Sequence, residues 1–481
     1  MAKVRIPLVG SLVSRDGTNA GLFSSSQKDQ YFEDCVFHVT QNAFSGKTLV
    51  KVGPRKVFAE TASPAGASGH GTAIQIWRGK SASTITAFGS TNSTIYNNDS
   101  SLGAITGRCI HISETMISSV PTLVFVSDSN LAYYYVDAGS LTEITDTDFP
   151  PKQTPALTLT GNFAHMDGYG FVMCTNGQIW HSDVNTLVNW TSTAVITAQE
   201  YPDLGVGVAR YRNFIVGFSR YSIEFFINAG NAAGAVLQRV QSMAKQIGAV
   251  NRYCIAPVEE TLAFVGSHLH TVGVYILSDG NPKKISTQAV DTWILAQIIA
   301  AGGDTAGLRL HIIADHNRYY IAVSSSSNAT NVYAHDLTTG AWQPWTLEYG
   351  IRQSDASGGG TVYVGQDSTK QLSNLGNAPA SGTIQTQPMD FDSRKYKTLN
   401  SLRVIGDKAT STSTLTISWS DDDGQTWSAG RTVDMASNDP RLLRAGLFKR
   451  RAFRITGLSA AATGRDQLLE AIELEVTEGA I

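Results

Sequence analysis

The sequence predicts an all-β chain: a β-propeller of six blades, preceded by an N-terminal arm and followed by a C-terminal β module. Three observations carry that expectation. First, seven stretches repeat one pattern, a hydrophobic strand, a turn of Gly, Asn, Asp or Ser, and a second strand ending near Asp, Asn or an aromatic. They begin near Ile74, Leu123, His165, Val208, Leu262, Ile312 and Val362, roughly 42 to 54 residues apart, the spacing of propeller blades. Second, the chain is 42% hydrophobic and only 16% charged, with 44 glycines, a composition that supplies turns rather than charged helical faces. Third, hairpin signals recur within the repeats. One blade cannot bury both faces of its sheet, so such units are stable only when packed around a ring. The competing architecture is an all-β sandwich with irregular strands.

Residues 1–52 lack the repeat. They are rich in Ser, Gly and Asn from Ser14 to Gln30 and hold short strands at Tyr31 to Val39 and Thr48 to Val52, a composition suited to a docking arm. The propeller is placed at 53–378, with its loosest connections at Pro64 to Gly69 and Ser357 to Gly360. Its clearest hairpins are Phe171 to Cys174, turning through Thr175-Asn176-Gly177 into Gln178 to His181, and Tyr319 to Val323, turning into Asn331 to Ala334. The helical-looking stretches, Trp293 to Ala301 and Asp466 to Glu475, are short. Residues 379–481 read as a separate β module with strands at Leu399 to Ile405, Leu415 to Trp419, Arg451 to Ile455 and Leu468 to Val476. In its centre Ser420, Asp422, Gly424, Thr426 and Trp427 match the Asp-box pattern S-x-D-x-G-x-T-W. That pattern is structural: Ser and Asp cap backbone N–H groups, Gly supplies positive φ, and Trp packs under the hairpin.

The residues point to no cofactor, no metal and no catalytic group. There is no phosphate-binding G-x-x-x-x-G-K-[ST] loop, no G-x-G-x-x-G after a strand, no H-E-x-x-H and no G-x-S-x-G. His268 and His270 alternate along a strand, but no third ligand has a recognisable spacing. Sialidases are propellers with several Asp boxes, an arginine triad and a Tyr–Glu nucleophile. Here one clear box lies outside the repeats, and Arg210, Arg212, Arg220, Arg239 and Arg252 near Tyr221 and Glu224 form no such pattern. No apolar run is long enough to span a bilayer, and Pro7 interrupts the basic N-terminal segment, so neither a signal peptide nor membrane insertion is expected. Cys35, Cys109, Cys174 and Cys254 are scattered among apolar neighbours and read as buried reduced thiols. A net charge of −3 argues against nucleic-acid capture by the overall field. Locally, Arg441, Arg444, Lys449, Arg450, Arg451 and Arg454 form a basic run without an acidic residue. An assembly interface or a charge-protected strand edge is favoured over DNA for this run, on the expectation that no aromatic in it is placed for base stacking.

The run from Ile179 to Asp183 with Asn189-Trp190, then Ala198 to Asp203, Phe214 to Phe226 and Asn228 to Asn231, resembles the packaged-DNA-stabilisation protein of short-tailed phages. Gln238 to Val240, Ile247 to Ala249, Thr261 to Gly266 and Pro282 to Thr287 continue in the same order, and Trp419 to Trp427 with Leu447 to Arg454 resembles the C-terminal signature of that family. The resemblance implies a structural, non-enzymatic virion protein, the tail nozzle of a podovirus, assembled in the host bacterial cytoplasm. It implies a homo-hexamer ring below the portal, in contact with the head-to-tail adaptor ring and with a tail needle or tail spikes and fibres. Genomic DNA would pass through the ring without specific binding and be retained there until ejection. The alternatives are a propeller-type tail adhesin for host-surface polysaccharide and a sialidase-like glycosidase.

Overall fold

The computed structural model describes residues 2–7, 31–33, 36–41, 48–53, 55–60, 71–77, 85–90, 93–97, 100–137, 139–231, 234–268, 271–315, 318–325, 328–337, 340, 342–346, 351–357, 360–365, 373–378, 381–386, 388–391, 393–406, 413–459 and 468–479. Seven antiparallel meander sheets of four or five strands follow one another along the described repeat region. They lead off with Gly71–Trp77, Cys109–Ile117, Leu159–Met166, Gly205–Tyr211, the split strand Gly248–Ala249 and Ile255–Val258, Leu308–Asp315, and Ile351–Ser357. We number them sheets 1 to 7. Each leading strand lies beside the next, and that of sheet 7 lies beside that of sheet 1. Each sheet is open; it is the succession of sheets that returns on itself.

Local sequence explains the hairpins. Asp167-Gly168 and Asp279-Gly280 both take positive φ, +53° and +82° in the first pair and +49° and +75° in the second. That is the turn whose twist matches two antiparallel strands, and Asp-Gly adopts it at little cost. The expected hairpin at Phe171 has the register Phe171 to His181, Val172 to Trp180 and Met173 to Ile179.

The cores lie between successive sheets. Val124 and Val126 of sheet 2 meet Val172 and Trp180 of sheet 3, and Phe171 and Met173 of sheet 3 meet Ile215 and Phe226 of sheet 4. A fully buried side chain of this kind contributes about 1.5–3 kcal/mol, which is why each sheet needs a neighbour on both faces.

Seven sheets stand where six blades are expected from the sequence. Ile74, Leu123, His165, Val208, Leu262, Ile312 and Val362 fall in seven different sheets. The seventh is composite: Ile351–Ser357, Gly360–Gly365 and Ser373–Ala378 are completed by Arg55–Glu60, which pairs from Ser373 opposite Glu60 to Ala378 opposite Arg55. Side chains reinforce the junction with sheet 1, since Ile76 N and Gln75 Nε2 donate to Asp355 Oδ2 at 2.7 and 3.0 Å, and Ile74 N donates to Gln353 Oε1 at 3.3 Å.

Outside the repeats, two further sheets enclose a core of Ile6, Ile384, Leu402, Ile417, Phe453 and Leu474 among others. The described strands of 1–52 are committed to these sheets rather than to an arm. Ala2–Pro7 pairs with Leu468–Glu478, Tyr31–Glu33 with Ser381–Gln385, and Thr48–Gly53 with Leu468–Glu478. The Ser-rich stretch from Ser14 to Gln30 lies outside the described residues, as does Cys35. Of the helical-looking stretch Asp466 to Glu475, Asp466 lies outside the described residues, and from Leu468 on it is in the strand Leu468–Glu478, as the alternation from Leu468 to Val476 predicts, with Leu469, Ile472 and Leu474 buried. The helix Gln288–Ala300 packs on sheets 5 and 6, with the Trp293 ring 4.6 Å from Tyr333.

Candidate functional site

The leading strands enclose a central cavity of about 800 Å³, lined among others by Gln75, Glu114, Asn162, Arg210, Arg252 and Arg352. Ile74 with Gln353 and Ile76 with Asp355 advance together, so the first and last leading strands run parallel around it. In five sheets the register with the second strand shifts near the start of the leading strand, at Gly71/Ala73, Cys109/His111, Leu159/Phe163, Gly205/Gly207 and Ile351/Gln353. A bulge of this kind re-aims a side chain at a rim. Sheet 5 carries a larger interruption, the 3-10 turn Arg252–Cys254, capped by Asn251, whose side chain accepts from Tyr253 N at 2.7 Å.

These interruptions give the cavity a charge polarity. Arg252 and Arg352, which line it, stand with Arg108 and Arg309 at or just before the start of a leading strand, at one mouth, where Asp128 pairs with Arg108 at 2.7 Å; Glu114, Asp355 and Glu259 stand toward the other. Arg210 is also at the second mouth, so that end is mixed. The sequence analysis singled out Arg252 alone of the first group. An arginine recurring at the first turn of the repeat was the signal that could have found the others.

In the C-terminal module the Asp-box geometry is present. Gly424 N donates to Ser420 Oγ at 2.8 Å, Ser420 Oγ donates to Asp422 Oδ1 at 2.7 Å, and Thr426 donates to Asp422 through N at 2.9 Å and Oγ1 at 2.5 Å. The Thr426 side-chain and backbone bonds, with that of Ser420, hold the Asp422 carboxyl down at about 2. Gly424 has φ +88°.

The same turn meets the basic run. Arg451, 1% exposed, pairs with Asp421; Arg450 pairs with Asp423 at 3.1 Å; and the Arg454 guanidinium lies 3.8 Å from the Trp427 ring centroid. Arg441 pairs with Asp439 at 2.6 Å, and Lys449 lies over the Tyr396 ring at 4.5 Å. Arg444 is exposed with φ +56°. Aromatics therefore do accompany the run in space, contrary to the sequence expectation, but they are covered by its own cations. Burial removes Arg451 from any partner-facing surface. Lys449 and Arg450, with Pro388, Asp390 and Arg394, line an open groove of about 500 Å³.

The residue types weighed for a glycosidase do not converge. Arg239 pairs with the buried Glu224 at 2.7 Å, Arg220 lies over the Tyr221 ring, and Arg210 and Arg252 face the cavity. His268 is exposed at the end of Thr261–His268, and His270 lies outside the described residues. Among the described residues no group of three His, Cys, Asp or Glu could hold a metal ion, and no helix is long and apolar enough to cross a membrane. Cys109, Cys174 and Cys254 are buried free thiols, each pushed up to about 12 by burial.

Residues 88–373 match the family described as Bacteriophage P22 Gp10, beta-propeller (Phage_stabilise). Over 103 residues the chain is 34% identical to the tail hub protein gp10 of Salmonella phage P22; the stretch is 21% of this chain and 22% of that protein, so the match spans about a fifth of the relative's length. Among solved structures, the computationally designed Ika8 protein aligns with 71% of this chain and 97% of its own length, at 10% identity and a TM-score of 0.40.

Proposed function

The chain belongs to the phage-stabilisation family of P22 Gp10 β-propellers, and from that premise we propose that it is a structural protein of a podovirus tail, the nozzle that extends and closes the DNA channel and retains the packaged genome until ejection. The observation that carries this reading is the family match across residues 88–373, the greater part of the chain. Six copies form a ring through heterologous contacts whose rotation closes, one face of each subunit fitting a different face of the next. The ring docks on the head-to-tail adaptor and carries the tail needle or spikes.

The conduit is built between copies and not through any one propeller. A cavity of about 800 Å³ has the size of a small-molecule site, and side chains of the leading strands occupy its rim. A net charge of −3 suits such a conduit, since a basic lining would bind DNA in a salt-dependent way and slow its passage. The sequence also lacks the nucleotide-binding loop of a packaging motor.

Heads assembled without this chain test the reading. They should fill with DNA and then leak it, measured as nuclease-sensitive genome. Heads that keep their DNA and lose only attachment to cells would replace the nozzle with an adhesin.

A further inference from the structure

Arginines that face one another in a protein normally share a carboxylate. At the first mouth of the cavity only Arg108 has one, Asp128 at 2.7 Å. Arg252, Arg309 and Arg352 form no ion pair among the described residues, and the first two lie over the Tyr253 ring. The Arg309 guanidinium lies 3.9 Å and that of Arg252 4.6 Å from the Tyr253 ring centroid. Arg252 donates through Nη2 to Tyr253 Oη at 2.7 Å and through Nη1 to the Thr160 carbonyl at 3.1 Å. Gly161, at φ +102°, makes room for it, because a Cβ there would lie 2.7 Å from Arg252 Nη1. Arg309 donates to the carbonyls of Ala306 and Leu308. Arg352 is the bulge residue between Ile351 and Gln353, its side chain lines the cavity, and its buried Nε has no hydrogen-bond partner.

The arrangement is costly on its own. Burial holds Arg352 and Arg309 below the ordinary arginine range; Arg108 adds to the effect on Arg352, and Arg352 and Arg252 add to it on Arg309. The buried Nε of the half-buried Arg352 loses its water without a compensating bond. The fold nevertheless builds the cluster by interrupting two strands, the bulge at Arg352 and the turn at Arg252–Cys254. Bulges are favoured where a side chain must be re-aimed beside a functional site.

We propose that this mouth is an anion site, in which Arg352 and Arg252, with Tyr253 and Arg309 behind them, bind a phosphate-type oxyanion inside the propeller cavity. Guanidinium forks match the oxygens of phosphate, and the cavity volume accommodates a small phosphorylated compound or the terminal phosphate of a nucleic-acid strand. The site lies within one chain, so it is independent of the assembly proposed above.

The test uses the full-length protein. Sodium phosphate should raise the melting temperature and give saturable heat on titration, where sodium chloride of equal ionic strength does neither. Arg352→Gln should weaken phosphate binding about tenfold or more and, without phosphate, should melt at the same temperature as the parent or higher, because a repulsion is relieved. Arg252→Gln provides a second variant with the same expectation for binding. A 5′-phosphorylated oligonucleotide that displaces phosphate, when its unphosphorylated counterpart does not, identifies a strand end as the source. If neither displaces it, the source is a free small oxyanion. Equal stabilisation by chloride, or a phosphate response unchanged in both variants, overturns the site.

Discussion

Arg451 and Asp421 meet at two points, Nε to Oδ1 at 2.6 Å and Nη2 to Oδ2 at 2.7 Å, with the arginine almost fully buried and the aspartate at the surface. The Arg451 guanidinium also lies 4.4 Å from the Phe448 ring centroid and donates to the Ala445 carbonyl. This one side chain ties the Asp-box turn to the strand that carries the basic run.

Removing the aspartate should strand that charge. Asp421→Ala is expected to cost on the order of 2–3 kcal/mol, toward the low side for a broken buried pair because Asp421 is 44% exposed. Arg451→Met in the same chain should recover most of the loss. Urea unfolding followed by circular dichroism measures both, and a single variant as stable as the parent would mean that the pair contributes nothing.

Gly424→Val should destabilise the C-terminal module by about 1–3 kcal/mol, since φ +88° is strained for a β-branched residue. Calorimetry of the full chain reads this directly. An unchanged transition would contradict the turn geometry.

Acid should weaken the protein before the Asp422 carboxylate titrates. His311 and His335 are buried, and burial lowers them from 6.5 to about 3 and about 4. The unfolded chain takes up protons near pH 6.5 that the fold refuses, so stability is full above that pH. It falls toward pH 3–4 by up to about 1.4 kcal/mol per pH unit for each histidine. Asp422 acts lower: its contribution is present above 3.8 and is lost as pH falls through about 2. Melting temperatures across this range check the order, and a profile level from about pH 7 to pH 5 refutes the histidine contribution.

Duplex DNA should bind the isolated protein weakly. Asp439, Asp423 and Asp421 already pair with Arg441, Arg450 and Arg451, so half of the basic run is neutralised. Fluorescence anisotropy at physiological salt should give a dissociation constant weaker than about a micromolar; tighter binding would make the run a DNA contact.

The legible and illegible parts of this chain separate by sequence distance. Hairpins such as Tyr169–Cys174 with Gln178–Ser182 are written locally, in alternation and turn residues. The partner of Ser373–Ala378 is Arg55–Glu60, and that of Leu468–Glu478 is Ala2–Pro7; nothing in the intervening residues announces either pairing. A period counts repeats well but does not say which end supplies the closing strand, and so six blades were expected where seven sheets form. The ion pairs of the basic run are hidden for the same reason. Its counter-ions Asp421 and Asp423 lie 30 and 27 positions earlier, beyond any window in which charge is read.

The composite seventh sheet also sets an order of events on the ribosome. Sheets 1 to 6 are each continuous in sequence and can form as the chain emerges, but the circle has no last member until Ala378 is made, and the strand Ala2–Pro7 waits for Leu468–Glu478. Contacts of such long range form late and slowly. A prematurely terminated chain therefore leaves its opening strands without partners, and only a chain translated through Leu468–Glu478 has a finished surface.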